Sequence, residues 1–181
     1  MTDPTPLRWA SRMMQRSIST HVKTGLTNLG WFATPPGFAD NPITWDDDHD
    51  TEGAVAGGVA PVGNTVGLSI GDVPDSAVEE LGGGLLSIDY PVFFDIYGEN
   101  RSTALNIADD IVGILQGELW SPSRYIPLYD QSQSPPTLLT QECCEARLVE
   151  ARWNVGTQVE WRRRWRIVTF TATRYYIGSG E

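Results

Sequence analysis

Cysteine, histidine and lysine are scarce in this chain, and each scarcity argues against a class of function. The two cysteines, Cys143 and Cys144, are adjacent, so a bridge between them would be strained and no disulfide scaffold is expected. The two histidines, His21 and His49, and the two cysteines are not spaced along the chain as the paired ligands of closed zinc sites are. The single lysine, Lys23, follows no glycine-rich stretch, which argues against a Walker-type nucleotide loop. We therefore expect no cofactor and no metal.

Long apolar runs are also missing. The longest uncharged window, residues 53–70, is rich in glycine, so no membrane span is predicted. Residues 1–30 contain no apolar block typical of a secretory signal, and we expect a reducing cytoplasm. A length of 181 residues suits one domain of ordinary size, and we predict a single domain over residues 1–181.

Charge is unevenly distributed along the chain. The net charge is −10, from 23 acidic and 13 basic residues. Residues 31–118 carry sixteen acidic residues and one arginine, a balance of −15, whereas residues 1–30 and 119–181 balance at +3 and +2. A net negative chain is a poor candidate for gripping nucleic acid over its whole surface. The segregation favours complementary subunit contacts or a polar channel, with a solvated acidic loop left open as the alternative.

Hydrophobic periodicity predicts an amphipathic helix over residues 7–29, which Gly30 terminates. Between residues 31 and 86, proline and glycine are frequent, which predicts an irregular segment with extended loops and short strands. From Ser87 onwards apolar residues alternate, which predicts a half-buried strand. Within it, Pro91 removes one hydrogen-bond donor and favours an edge position or a bulge.

The second half of the chain predicts a helix and then a hairpin. Asn100 or Ser102 is suited to cap a helix whose apolar stripe reaches Leu119. Residues 120–141 have loop composition, and strands at about 143–155 and 160–176 form a long C-terminal β-hairpin. The last strand is long enough to extend beyond the body of the domain. The predicted class is α/β of the α+β type, with a mixed or mainly antiparallel sheet and both helices packed on it.

Two motifs that suggest chemistry have weaker support than their structural alternatives. The string Gly67–Gly71 matches the G-x-S-x-G of hydrolases, but both histidines precede its serine, which is the wrong order for that triad. Four carboxylates and an imidazole cluster in the segment from Trp45 to Asp50, although the spacing of a calcium-binding EF-hand loop fails. We favour a solvated acidic loop there. We assign a contact with the lumen or with a loop to its four aspartates, Asp46, Asp47, Asp48 and Asp50.

The densest basic motif of the chain is Trp161–Arg166, in its C-terminal part. On a strand its side chains would form an aromatic-flanked face and a purely basic face, and protein interfaces are enriched in tryptophan and arginine. We predict a subunit interface here. Nucleic-acid binding and pairing of Arg163 or Arg164 with Glu145 or Glu150 on the hairpin partner stay open as alternatives. The interface residues are Trp161, Arg162, Arg163, Arg164, Trp165 and Arg166.

The order of elements resembles that of phage tail terminators, the proteins that cap the tail tube of long-tailed phages. The resemblance lies in a first helix, a variable loop region, the strand Asp89–Tyr97 that passes into a helix from Ser102, and a closing hairpin. The C-terminal stretches Trp165–Phe170 and Arg174–Tyr176 are similar in kind to the last strands of that family. The glycine-rich segment before Gly84 is longer than the smallest members of the family need.

This resemblance implies a structural protein, not an enzyme, that assembles into a ring, typically a hexamer. Such a ring stops polymerisation of the tail tube protein on one face and joins the head connector or stopper protein on the other. DNA passes through the lumen without specific binding, and no membrane is involved. The expected location is the virion, at the head–tail interface of the tail, after assembly in the host cytoplasm. The alternatives are another head-to-tail connector component, such as an adaptor or stopper, and a small nucleic-acid-binding module.

Overall fold

In the part of the chain that the structure describes, two helices pack on one face of a mixed sheet. The computed structural model describes residues 7–32, 42–47, 63–71, 79–81, 85–119, 125–130, 134–153 and 164–177. The predicted α+β class, with an N-terminal helix, a central helix and a C-terminal hairpin, is confirmed. The elements in chain order are α1 (Leu7–Asn28), β1 (Ile43–Asp46), β2 (Asn64–Ile70), β3 (Glu79–Leu81), β4 (Leu85–Tyr97), α2 (Arg101–Gln116), β5 (Tyr125–Asp130), β6 (Thr137–Trp153) and β7 (Trp165–Ile177).

The seven described strands form one sheet that curves into a half-barrel. Its strand order is β1-β2-β4-β7-β6-β5, with the short β3 pairing the start of β4. The β1–β2 pair is parallel, and all the other pairs are antiparallel. Among the described strands, β1 ends the strand order on one side and β5 on the other.

The first helix follows the predicted bounds closely. Four apolar residues at intervals of four, Met14, Ile18, Val22 and Leu26, are fully buried, as expected for the core-facing stripe of an amphipathic helix. The helix ends at Asn28, and Gly30 adopts a φ of 90°, which a residue with a side chain rarely tolerates. The stop signal that the sequence predicts is therefore confirmed.

The second helix begins and ends with specific backbone contacts. The Asn100 side chain accepts a hydrogen bond of 2.9 Å from the Thr103 amide, so Asn100 is the N-cap and the sequence expectation is confirmed. Gly117, at a φ of 74°, closes the other end. The two helices approach closely at Gly25, where a Cβ would lie 2.6 Å from Ile114 Cδ1.

The longest alternating strand, β4, lies inside the sheet, so the edge position expected from Pro91 is wrong. The strand pairs with β7 along its whole length and with β2 from Val92 onwards. The Pro91 carbonyl accepts from Gly71, the residue after β2 ends. Since the N and C=O of one strand residue point to the same side, the missing donor of Pro91 falls in the gap between β2 and β3. A proline is therefore tolerated in a central strand.

The sequence prediction was wrong about two features of the C-terminal half. Residues 120–141, expected to be loop, contain β5 and the start of β6, and Pro127 is accommodated because β5 is an edge strand. The long strand is β6, with 17 residues, whereas β7 has 13 and is paired on both sides by β4 and β6. The last strand therefore lies within the sheet and does not extend beyond it. The hairpin itself is confirmed, although its expected turn, residues 154–159, lies outside the described residues.

The hydrophobic core lies between the two helices and the helix-facing side of the sheet. Alternate residues of β4 and β7 point into it, and Phe94 stacks on Phe170 with ring centroids 6.0 Å apart. Trp45 of β1 meets Phe94 edge-on at 5.9 Å. No described helix covers the opposite face, where Phe93 is 37% exposed. Other residues of this face, Asp95, Tyr97 and Trp165, are buried.

Candidate functional site

The predicted interface motif is split by the structure. Trp161, Arg162 and Arg163 lie outside the described residues. Arg164 directly precedes β7, and its Nη1 donates to the Glu99 carbonyl at 2.5 Å. The Gly98 amide in turn donates to the Arg164 carbonyl at 3.1 Å. These bonds fasten the start of β7 to the turn between β4 and α2.

Trp165 is an interior residue of the subunit. Its side chain is 3% exposed, and its Nε1 donates a hydrogen bond of 2.9 Å to Oδ1 of Asp95, which is 1% exposed. The indole stacks on Tyr97, with centroids 5.1 Å apart. The pairing of Tyr97 with Trp165 in the β4–β7 register explains the contact, because directly paired residues share a face. Within one chain, Trp165 thus acts in packing.

The next arginine belongs to a cluster on the helix-facing side. The guanidinium groups of Arg101 and Arg166 lie over the Trp153 ring, at 4.8 Å and 4.9 Å from its centroid. Arg166 also donates to the Ala151 carbonyl at 3.4 Å. Cation–π contacts of this kind fix both cations at one end of the sheet. We call Arg101, Trp153 and Arg166 the arginine–tryptophan cluster.

The C-terminal half of β6 leads into this cluster and has only one strand partner. On one side, β6 pairs with β7 from residue 142 to residue 153. On the other side, β5 pairs with β6 only up to Glu145, and no other described strand continues the pairing. Among the described residues, 147–153 thus have a strand partner on one side only, and we call this stretch the β6 edge. Unpaired strand edges are ready-made templates for another chain.

Leu148 is the most unusual residue of the β6 edge. Between Arg147 and Glu150 the register with β7 shifts, and Leu148 adopts a φ of 52°. Positive φ is rare for a bulky side chain, and bulges serve to redirect a side chain. The bulge leaves Leu148 84% exposed, the highest exposure among the large hydrophobic residues described. The bulge therefore presents an apolar side chain to solvent at the β6 edge.

The charges of the β6 edge are mixed but mostly basic. Arg147, Glu150 and Arg152 are all exposed, and Arg147 donates to Glu145 at 2.9 Å while its guanidinium lies 5.2 Å from the Tyr175 ring centroid. With the arginine–tryptophan cluster included, this end of the sheet carries four arginines and two glutamates. One of the glutamates, Glu145, is already paired with Arg147. Sequence reasoning treated the hairpin as paired and missed this edge. The mixture of apolar and charged residues over Arg147–Arg152 does not reveal it, because a strand edge is defined by its neighbours and not by its own residues.

At the opposite edge of the sheet, the described part of the acidic cluster fastens β1 to α1. Asp47 accepts hydrogen bonds from Ser19, from Trp45 at 2.8 Å and from Lys23 at 2.9 Å. Partial burial on its own would raise the pKa of Asp47, but these hydrogen bonds and the Lys23 charge outweigh it and lower the pKa. Asp46 is exposed, whereas Asp48 and Asp50 lie outside the described residues.

A second buried polar group lies on the helix-facing side of the sheet. Arg174 donates through Nε to Glu142 at 2.7 Å, and both side chains are about nine-tenths buried. Near this ion pair, burial raises the pKa of the Cys144 thiol and of the Tyr90 hydroxyl, while the Arg174 charge opposes both shifts. A thiol of this kind is protonated at neutral pH and is a poor nucleophile. The group is suited to structure and not to chemistry.

Within the described residues, the motifs that suggest chemistry in the sequence do not assemble a site. Ser69 of the G-x-S-x-G string lies within β2, paired with Phe93, and not on a strand-to-helix elbow. Both cysteines are free thiols, as the sequence predicts. Within the described ranges, no three histidine, cysteine or acidic side chains come together in a metal-binding group, and no helix is long and apolar enough to cross a membrane.

No protein-family model matches the chain, and no curated protein sequence matches it significantly. The functional argument therefore depends on the surfaces described above, of which the β6 edge is the most distinctive.

Proposed function

We propose that this chain is a structural subunit that assembles into a ring and caps the tail tube of a long-tailed phage. In this proposal the ring ends polymerisation of the tube and joins the tail to the head connector. The chain carries out no reaction, and its mechanism is surface complementarity and steric termination. Another head-to-tail connector component, such as an adaptor or stopper, is the alternative within the same setting.

The observation that carries the proposal is the β6 edge with Leu148 84% exposed. A leucine held outward by a bulge at an unpaired strand edge is a liability in a solitary subunit, because such edges promote association. In an assembling subunit the same feature is useful. Among the described strands, β1 ends the strand order on the other side, and this supports the proposal further, since a contact between two different edges of identical subunits generates rings or filaments.

The charge distribution supports a lumen that DNA crosses. Residues 31–118 balance at −15, and phosphate contacts are what make nucleic-acid binding tight. An acidic lumen repels the passing duplex and so prevents it from sticking. In this proposal, part of the acidic middle of the chain lines the hole, while the exposed Arg147 and Arg152 lie at subunit contacts.

A polymerisation assay tests the proposal. The purified chain is added to a polymerising cognate tail tube protein, and tube lengths are measured by negative-stain electron microscopy. We expect shorter tubes with a ring at one end only. Unchanged tube lengths and bare tube ends at excess chain would contradict the proposal, and binding to portal complexes in place of tube ends would favour the adaptor or stopper alternative.

A further inference from the structure

We infer that β1 is a strap that opens and closes on the sheet as a local unit, and that Asp47 is the latch that holds it closed against α1. The strap is residues 42–47, which are β1 and the residue on either side of it. Two observations carry the inference, namely the small attachment of the strap to the sheet and the hydrogen bonds from α1 that converge on Asp47. The inference is independent of the proposed function.

The strap is attached to the sheet by few contacts. β1 has four residues and pairs only with β2 among the described strands, in the one parallel pair described. Parallel pairing is slightly less stable per residue than antiparallel pairing. Within the strap, Ile43 is buried and Trp45 is half-buried, whereas the other four residues are exposed. Elements with few buried apolar contacts open at a lower free energy than the core of the same protein.

Three side chains of α1 converge on Asp47. Gln15, Ser19 and Lys23 are spaced by four residues, so they lie along one face of the helix. Ser19 donates to the Asp47 carboxylate, Lys23 donates to it at 2.9 Å, and Gln15 donates to the Asp47 carbonyl. The strap adds a contact of its own, because the Trp45 indole donates to the same carboxylate at 2.8 Å. Asp47 therefore joins the end of the strap to the helix.

The latch depends on the charge of Asp47. Partial burial raises the pKa of this carboxyl, but the hydrogen bonds from Ser19, Lys23 and Trp45, together with the Lys23 charge, lower it overall. The closed strap thus favours the ionised carboxylate. Both side chains of the Lys23–Asp47 pair are partly exposed, so dissolved salt screens their attraction.

Opening of the strap would change what the sheet presents. β2 pairs with β1 on one side and with β4 on the other, so release of β1 would leave β2 without its parallel partner. Trp45 lies edge-on against Phe94 at 5.9 Å, and Ile43 belongs to the buried core. The closed strap therefore covers both a strand edge and part of the core, and covering an edge is a common protection against unwanted strand pairing.

Hydrogen exchange of the full-length chain tests the strap, because the exchange rate of an amide follows the opening equilibrium of its element. Mass spectrometry compares peptides over residues 42–47 and 64–70 with core peptides over residues 85–97 and 165–177. In the wild type we expect the strap to exchange about 100-fold faster than β4 and β7, through openings that leave both core strands protected. Equal rates in the strap and the core strands would overturn the inference.

Replacement of Asp47 tests the latch. Asp47→Ala removes the acceptor of Ser19, Lys23 and Trp45, so the strap and β2 should exchange about tenfold faster, while β4 and β7 change less than about twofold. Asp47→Asn and Lys23→Met remove one charge each, and we expect an effect of about threefold from either. These milder variants provide the same test if the alanine variant does not fold.

Two controls separate the latch from a general effect of charge. Asp46→Ala removes the same charge from the neighbouring exposed position. Asp46 also takes part in an interaction within the chain, and we expect its removal to accelerate strap exchange by less than about threefold. At about 1 M salt, the strap should exchange roughly twofold faster in the wild type and should not respond in Asp47→Ala.

The outcomes decide the inference without reference to tube assembly. Acceleration confined to residues 42–47 and 64–70 supports a strap latched by Asp47. A folded Asp47→Ala variant whose strap exchanges like the wild type would overturn the latch, as would an equally large effect of Asp46→Ala. Equal acceleration of all four peptides would also overturn it, because Asp47 would then stabilise the whole subunit and not the strap alone.

Discussion

The most informative single perturbation concerns Trp165, because it decides whether that tryptophan stabilises the subunit or mediates contacts between subunits. In the structure its indole donates to the Asp95 carboxyl at 2.9 Å, stacks on Tyr97 and is 3% exposed. The substitution Trp165→Phe keeps an aromatic ring but removes the donor and part of the ring. We therefore expect the variant to be less stable but still able to assemble.

The expected loss follows from these contacts. Removing one partner of a buried hydrogen bond costs about 1–3 kcal/mol. The smaller ring leaves a partial cavity beside Tyr97, which adds about 1 kcal/mol. The free energy of unfolding should therefore fall by about 2–4 kcal/mol, which for a chain of this size corresponds to a lower melting temperature by roughly 5–15 °C.

Urea denaturation of the wild type and variant measures this change, and native mass spectrometry at the same concentration measures assembly. Phe93→Leu is the matched control, because Phe93 lies on the same face of the sheet as Asp95 but is 37% exposed, and it should cost less than about 1 kcal/mol. In a double-mutant cycle, Trp165→Phe and Asp95→Ala should couple by at least about 1 kcal/mol. A Trp165→Phe variant with wild-type stability and no assembly would refute the reasoning and place the indole at a subunit contact.

Three further predictions concern the interior. In Gly25→Ala, the new Cβ lies 2.6 Å from Ile114 Cδ1, so chemical denaturation should show a loss of about 1–3 kcal/mol that Ile114→Val, which removes that methyl, partly restores. In Glu142→Ala, the buried Arg174 loses its carboxylate, so unfolding should become easier by about 3–5 kcal/mol, whereas Glu142→Leu/Arg174→Met should remain within about 2 kcal/mol of the wild type. Burial lowers the pKa of His21 in the folded chain from its usual value of 6.5. The contribution of the neutral imidazole to the free energy of unfolding is therefore complete above pH 6.5 and is lost as the pH falls, with a slope of up to about 1.4 kcal/mol per pH unit. Stability curves between pH 5 and pH 7 that have the same slope in the wild type and in His21→Asn would contradict this assignment.

The predictable parts of the fold are those in which local signals agree with each other. The helix over residues 7–29 combines a long apolar stripe with a glycine stop, and the structure ends it one residue earlier, at Asn28. Asn100 is a strong local capping signal, and it caps α2. The alternation after Ser87 was equally clear, although it does not reveal that β2 and β7 flank the strand on its two sides.

Elements held by long-range pairing were not predictable. β5 has only six residues and contains Pro127, so its local composition is that of a loop, and only its pairing with β6 makes it a strand. The β6 edge could not be recognised either, because an edge is defined by the absence of a neighbour and not by its own residues. Trp165 illustrates the same limit. Alternation predicts which residues of its own strand share a face with Trp165, but it does not predict that Asp95 and Tyr97 of β4 lie against the indole and are buried with it.

Native mass spectrometry of the purified full-length chain, alone and with tail tube ends, tests the central claim most directly. We expect one closed oligomer of defined subunit number, with a central hole visible by negative-stain microscopy, that dissociates when Leu148 is replaced by asparagine. A chain that stays monomeric at every concentration, with tube ends present as well as absent, would contradict it.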